Sequence, residues 1–313
     1  MPAEQPFVHL CEVGPRDGLQ NEKSIVPVEA KVRFVEMLAE AGLREIEVTS
    51  FVSPKWVPQL ADAEEVLARI ARRAGTVYSA LVPNEKGLER ALSCGVRKVS
   101  VFTAASEGFA RRNINASVAE SIERFRPVVA GAHAAGATVR GYVSCVVECP
   151  FDGRVKPEAV RDVCARLSDI GVDELDLGET IGVAVPDEIA RVLEACAAVR
   201  PMAELVLHLH DTRGTALACA ARALAMGVRR FDASAGGIGG CPYAPGASGN
   251  VATEELDYLC TRSGYSTGVD RSRLCEAARF AGAALGRALP SRLLSAEAAG
   301  SSCQVARGDA ASA

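Results

Sequence analysis

Short apolar runs rich in Val, Ile and Leu recur along the chain, at residues 7–13, 45–49, 76–82, 97–103, 138–147, 173–177, 204–210 and 230–234. Runs of this length and β-branched character suit strands buried on both faces. Between them lie Ala-, Leu-, Arg- and Glu-rich stretches with helical spacing, including 28–41, 59–72, 118–135, 157–170, 186–199 and 215–226. Strand and helix thus alternate, which predicts a parallel sheet. The helix-to-strand joints repeat one device, a glycine between small or apolar neighbours at 41–43, 94–96, 135–137, 170–172 and 226–228. That places glycine where the chain leaves a helix in a left-handed conformation.

Eight strands precede residue 235, each followed by a helix or helix-like turn. Eight such units at ~30 residues each predict a (β/α)8 barrel, an α/β fold. A doubly wound open sheet is the alternative. Residues 271–288 read as an extra helix outside the barrel. The expected organisation is one catalytic domain over residues 1–300 with a C-terminal helical extension, and a frayed small and polar tail over 301–313.

Composition narrows the function classes. Of 313 residues, 49% are hydrophobic and 24% charged, so a normal core can form. The formal net charge of −4 offers no basic face, and no nucleic-acid partner is expected. No apolar run approaches the ~20 residues of a membrane span, and residues 1–6 lack a signal-peptide pattern. A cytoplasmic protein without a membrane partner is therefore expected. The eleven cysteines are scattered with no Cys-x-x-Cys pair, which fits reduced, mostly buried thiols.

In a parallel barrel the site lies at the C-terminal ends of the strands. Five of those ends carry acids, imidazoles or amides. The sharpest feature is His208-x-His210, which uses two of only four histidines. Alternation along a strand puts both rings on one face, about 7 Å apart, where they can share a metal. Asp17, at the mouth of the first strand, is a candidate carboxylate ligand, and Asn250 a candidate amide ligand. Two nitrogens and two oxygens suit Mg²⁺ or Mn²⁺, and the ligand types also admit Zn²⁺. Taken singly, Asp17 also fits a turn or helix cap, and Asn250 a cap before residues 251–254. Arg16, beside Asp17, can bind a carboxylate or stabilise an oxyanion. Glu47 and Glu179 can hold Arg16, anchor substrate or support the structure. The glycine-rich segment 235–243 is a poor dinucleotide fingerprint and reads as a mobile lid bearing Cys241.

Five segments together resemble hydroxymethylglutaryl-CoA lyase: 13–22 (VGPRDGLQNE), 49–59 (TSFVSPKWVPQ), 140–145 (RGYVSC), 208–212 (HLHDT) and 239–250 (GGCPYAPGASGN). The likeness spans about residues 7–270. The long segment 49–59 is its most specific part, because the wider superfamily of metal-dependent Claisen and aldol enzymes shares only the Arg-Asp-Gly and His-x-His pieces. The resemblance implies a (β/α)8 barrel and a divalent metal, Mg²⁺ or Mn²⁺, on Asp17, His208, His210 and Asn250. It implies Arg16 as the substrate-binding and oxyanion-stabilising residue, Cys241 as a catalytic thiol and Glu47 as a supporting acid. It places Asn113 and Ser117 near an acyl-CoA substrate. The implied reaction cleaves 3-hydroxy-3-methylglutaryl-CoA to acetyl-CoA and acetoacetate, with His208 or a water relay as base and Cys241 protonating the enolate. A homodimer is also implied. The sequence departs from the family pattern at Glu179, usually Asp, and at Arg213, usually Tyr. An acid longer by one methylene moves a carboxylate by ~1.5 Å, enough to alter which acyl group fits. Cleavage of a related 3-hydroxy acyl-CoA such as citramalyl-CoA is therefore the alternative, as is aldolase chemistry of the same superfamily.

Overall fold

A computed structural model describes residues 5–240 and 249–297. Eight parallel strands form its centre: β1 (His9–Glu12), β2 (Glu45–Ser50), β3 (Val77–Leu81), β4 (Lys98–Ala104), β5 (Thr138–Ser144), β6 (Glu174–Glu179), β7 (Val206–Leu209) and β8 (Arg230–Ala233). They pair in chain order, and β1 pairs with both β2 and β8, which closes the barrel. Closure excludes the open-sheet alternative. Each expected apolar run overlaps one of these strands. The tail 301–313 lies outside the described residues.

The helical layer comprises α1 (Val28–Glu40), α2 (Ala63–Arg69), α3 (Glu85–Ser93), α4 (Glu107–Ile114), α5 (Val118–Ala134), α6 (Pro157–Asp169), α7 (Pro186–Cys196), α8 (Ala216–Met226), α9 (Thr253–Arg262) and α10 (Arg271–Leu285). The expected helix over 59–72 is broken into a single turn, Pro58–Leu60, followed by α2. The cause is a pair of tethers to the preceding segment. Gln59 bonds the Val26 amide and the Ser24 carbonyl, and Asp62 pairs with the buried Lys31. The C-terminal extension is α10, which ends at Gly286 and packs on α1.

The five joint glycines all adopt positive φ, from +70° at Gly136 to +106° at Gly227. Gly42 has a second reason to lack a side chain, since a Cβ there would lie 2.6 Å from the Gly268 carbonyl oxygen.

Side chains alternate along the strands, as pleating requires. One set packs outward on the helices as an apolar core that includes Ile46, Val48, Val99, Val101, Val139, Leu175, Leu177, Leu207 and Phe231. The other set faces the barrel axis, and much of it is charged. Arg140 on β5 reaches across the lumen to Glu45 on β2 and Asp232 on β8, and also bonds Glu174 on β6. Lys98 joins Glu45 and Glu174, and Arg230 joins Glu174. This charged plug fills the lower barrel, where aliphatic layers are the usual filling. Among the described residues, the nine cysteines are mostly buried, and no helix is long and apolar enough to cross a membrane.

Candidate active site

The end of β1 runs into a wide helical turn, Gly14–Gly18, which carries Arg16 and Asp17 over the barrel axis. Glu12 anchors that turn. Its fully buried carboxyl accepts hydrogen bonds from the Gly14 and Ala235 amides and the Thr253 hydroxyl, so it ties the ends of β1 and β8 to α9. Burial pushes this carboxyl up to about 8, against the pull of its three donors.

Asp17, His208 and His210 converge. One ligand atom from each lies within 4.8 Å of the others, and the two imidazole Nε2 atoms are 3.1 Å apart. Asn250 joins them from the far side. Its backbone forms an isolated bridge with His210, and its Nδ2 donates to Asp17 Oδ2 at 2.9 Å and to the Ile238 carbonyl at 3.1 Å. Asn250 is not a helix cap, since α9 starts after Ala252. Asp17 does sit in a turn, but its carboxylate faces the histidines.

Two buried atoms here have no protein partner among the described residues, Asn250 Oδ1 and His210 Nδ1. A buried acceptor left open is costly unless something occupies it. An open amide oxygen beside a carboxylate and two imidazoles is a donor set that fits a divalent cation. The electrostatics agree. Burial alone would raise Asp17, but Arg16, His208 and His210 hold its carboxyl below the usual range. Burial and the neighbouring His208 push His210 down to about 4, keeping its ring neutral. Burial opposes charge on His208 too, yet the Asp232 hydrogen bond and Asp17 raise it overall.

Arg16 is held on two sides. Its Nε donates to Glu47 at 2.5 Å and its Nη1 to Asp17 at 2.7 Å. Glu47, expected as a supporting acid, is fully buried and also accepts from the Ser100 and Tyr142 hydroxyls. The Tyr142 ring lies under the Arg16 guanidinium at 5.4 Å. Ser100 and Asp232 are site-supporting residues that the sequence did not mark, and Arg140 and Tyr142 were marked only as part of the segment 140–145. The available signal was polar residues at alternate positions within otherwise buried strands.

Other expectations are redirected. Glu174 and Asp176 point into the lumen, so alternation sends Glu179 to the helical side of β6. There its carboxylate accepts from the Val183 amide at 3.1 Å, and burial raises it to about 7. It closes the turn after β6 and makes no hydrogen bond to Arg16 or the metal-type cluster. Arg213 braces the same turn through the Ile181 and Gly182 carbonyls. Ser117 is the N-cap of α5, in a reciprocal capping box with Glu120. Its oxygen accepts the Glu120 amide at 3.1 Å. Asn113 is exposed on α4, at the same barrel end as the site. Cys241 lies outside the described residues. The described part of its glycine-rich segment is a packed turn: Ala235, Gly236, Gly237 and Ile238 are buried, and a Cβ on Gly236 would strike Leu289.

The HMGL-like family model matches residues 7–281. The chain belongs to the HMGL-like family. A curated relative, hydroxymethylglutaryl-CoA lyase of Pseudomonas mevalonii, is 54% identical over 91% of this chain and 95% of its own. The mitochondrial hydroxymethylglutaryl-CoA lyase of Homo sapiens is 48% identical over 91% of this chain and 88% of its own. Among solved structures, hydroxymethylglutaryl-CoA lyase from Pseudomonas aeruginosa superposes with a TM-score of 0.92 at 50% identity, covering 94% of this chain and 99% of that one. An HMG-CoA lyase from Acinetobacter baumannii, solved with coenzyme A and 3-methylmalate, is 35% identical with a TM-score of 0.90, covering 95% of this chain and 97% of that one. Membership of this family, with about half the residues identical to hydroxymethylglutaryl-CoA lyases over nearly the whole chain, makes it a carbon–carbon lyase, and its metal-type cluster sits at the barrel end where that fold carries chemistry.

Proposed function

We propose that this protein is a divalent-metal-dependent lyase that cleaves 3-hydroxy-3-methylglutaryl-CoA to acetyl-CoA and acetoacetate. The observation that carries the reading is the convergence of Asp17, His208, His210 and the open Asn250 amide oxygen beside a clamped arginine. The named relatives supply the substrate.

Asp17, His208, His210 and Asn250 would hold the ion, with Mg²⁺ or Mn²⁺ the choice that suits a mixed oxygen and imidazole set. When bound, it supplies Lewis acidity toward the substrate's oxygens. The chain's own residues do the rest. Glu47 and Asp17 occupy Nε and Nη1 of Arg16, which leaves Nη2 free of hydrogen bonds among the described residues and available to an oxygen of the substrate. Charge develops on the thioester oxygen as the C2–C3 bond breaks. A pre-positioned guanidinium stabilises that charge without reorganising. His208 is a ligand in this scheme and not the base. With Nδ1 facing Asp232 and Nε2 turned to the cluster, its ring keeps no lone pair for the hydroxyl proton. A water relay then removes that proton. Cys241 is proposed, on family resemblance, to protonate the enolate carbon. Exposed Asn113 is proposed to meet the acyl-CoA, whereas the carboxylate of Glu179 and the hydroxyl of Ser117 have structural partners.

A second reading has one observation in its favour. The Acinetobacter baumannii relative was solved with coenzyme A and 3-methylmalate, a smaller hydroxy diacid. A related thioester such as citramalyl-CoA would then be the substrate. A coupled assay offering both thioesters side by side, with EDTA and then with added Mg²⁺ or Mn²⁺, separates the readings. We expect turnover of hydroxymethylglutaryl-CoA that chelation removes and either ion restores. Preference for citramalyl-CoA would move the assignment to the sister activity. Turnover that survives exhaustive chelation would end the metal-dependent scheme.

A further inference from the structure

His208 and His210 differ in what stands behind them. His210 Nδ1 is buried with no partner among the described residues. His208 Nδ1 faces Asp232 Oδ2 at 3.3 Å. Asp232 is 1% exposed, and its other oxygen, Oδ1, accepts from Arg140 Nη1 at 2.7 Å. Arg140 is itself fixed. Its Nε donates to Glu174 at 3.0 Å, its Nη2 to Glu45 at 2.9 Å, and Nη1 also reaches Asp176 Oδ2 at 3.4 Å. The guanidinium therefore cannot turn away from Asp232 without leaving a buried charge unpaired.

We infer that Asp232, oriented by Arg140, is the positioning residue that sets the tautomer of His208 and so keeps Nε2 open as a ligand atom. The argument is one of donors and acceptors. A neutral imidazole carries its proton on one nitrogen only. A carboxylate facing Nδ1 can only accept, so the proton sits on Nδ1 and the Nε2 lone pair faces His210 and Asp17. Arg140 makes the arrangement directional, because a guanidinium also requires an oxygen opposite it. The charged plug of the lower barrel thereby reaches the ligand cluster through one carboxylate. This inference rests on the metal reading proposed above, but its first test does not need a metal.

Asp232→Asn is the decisive substitution. The new amide must turn its oxygen to Arg140, because Arg140 offers only donors. Its NH2 group then faces His208, Nδ1 must accept, and the proton moves to Nε2, where it blocks ligation. The first measurement is imidazole ¹⁵N NMR of the metal-free protein at about pH 9, above the imidazole range. The chain has only four histidines, which makes the spectrum assignable. We expect the Nδ1–H tautomer for His208 in the native protein and the Nε2–H tautomer in Asp232→Asn. The second measurement is Mn²⁺ binding by calorimetry, with an expected loss of roughly 10- to 100-fold, the usual cost of removing such a support. Asp176→Asn is the control. It touches the same Arg140, but it does not face His208. Its Mn²⁺ affinity should stay within about twofold of native, well inside the loss expected of Asp232→Asn. An unchanged His208 tautomer in Asp232→Asn overturns the inference, and so does an equal affinity loss in Asp176→Asn. If the native protein binds no Mn²⁺, the metal reading fails, and the tautomer measurement alone still decides the role of Asp232.

Discussion

At the scale of single residues, this site is built by buried charges that each have an assigned partner. Asp17 has Arg16 and Asn250, Glu47 has Arg16, Ser100 and Tyr142, and Asp232 has Arg140 and His208. Glu12 is the case with a clear titration consequence. Its carboxyl titrates near 4.5 when exposed and at about 8 in the fold. Between those values the folded chain holds a proton that the unfolded chain has lost. Stability therefore falls as pH rises through that window. At roughly 1.4 kcal/mol per pH unit, the full window is worth on the order of 3–5 kcal/mol. Glu12→Gln cannot ionise and should flatten that part of the curve. Denaturant titrations at about pH 5 and pH 8 check this, and equal losses in the two proteins would show that Glu12 does not carry the effect.

At the scale of elements, strand ends aim the chemistry and turns hold it in place. Arg16 and Asp17 come from the turn after β1, and His208 and His210 from the end of β7. Asn250 comes from a segment pinned between the β7 and β8 ends, where its neighbour Gly249 receives the Asp211 amide on its carbonyl. Gly249 has φ +73°, and a Cβ there would lie 2.7 Å from the Gly239 carbonyl oxygen and 2.9 Å from that of Gly237. Those are backbone atoms and cannot swing aside. Gly249→Ala should therefore shift Asn250 and lower kcat/KM on the order of 10²-fold, as ångström-scale misplacement does. The folded fraction, followed by circular dichroism, should change far less. A rate within about threefold of native would show that Asn250 tolerates displacement.

At the scale of the whole molecule, the barrel is held from inside by charge. Arg140 connects β5 to β2, β6 and β8 through Glu45, Glu174, Asp176 and Asp232. Parallel sheets normally fill such a lumen with branched aliphatics. Here the ion cluster occupies that space and also orients the site above it. Arg140→Met should destabilise the fold by about 3–5 kcal/mol, because it leaves buried carboxylates unpaired. Equilibrium unfolding in urea measures this. A loss below about 1 kcal/mol, the scale of an exposed pair, would mean that the carboxylates rearrange or take up protons at little cost.

Much of the architecture was legible in the linear order of residues. Apolar runs at a spacing of about thirty, joined through glycines, specify eight βα units because local periodicity and turn chemistry act over a few neighbours. His208 and His210 were legible as a pair for the same reason, being two positions apart on one strand. Asp17 and Asn250 were expected to join them as ligands, yet each by itself also fits a turn or cap, and only barrel closure brings the side chains together. Which side of β6 Glu179 faces was not legible, because only the observed alternation of the strand shows it. The pairing within the lower ion cluster was not legible. Glu45, Lys98, Arg140, Glu174, Asp176, Arg230 and Asp232 look like scattered charges in buried strands, and nothing in their spacing pairs them. Tertiary closure decided that, by bringing inward faces of strands far apart in sequence within hydrogen-bond reach, where an unpaired charge would be too costly to bury.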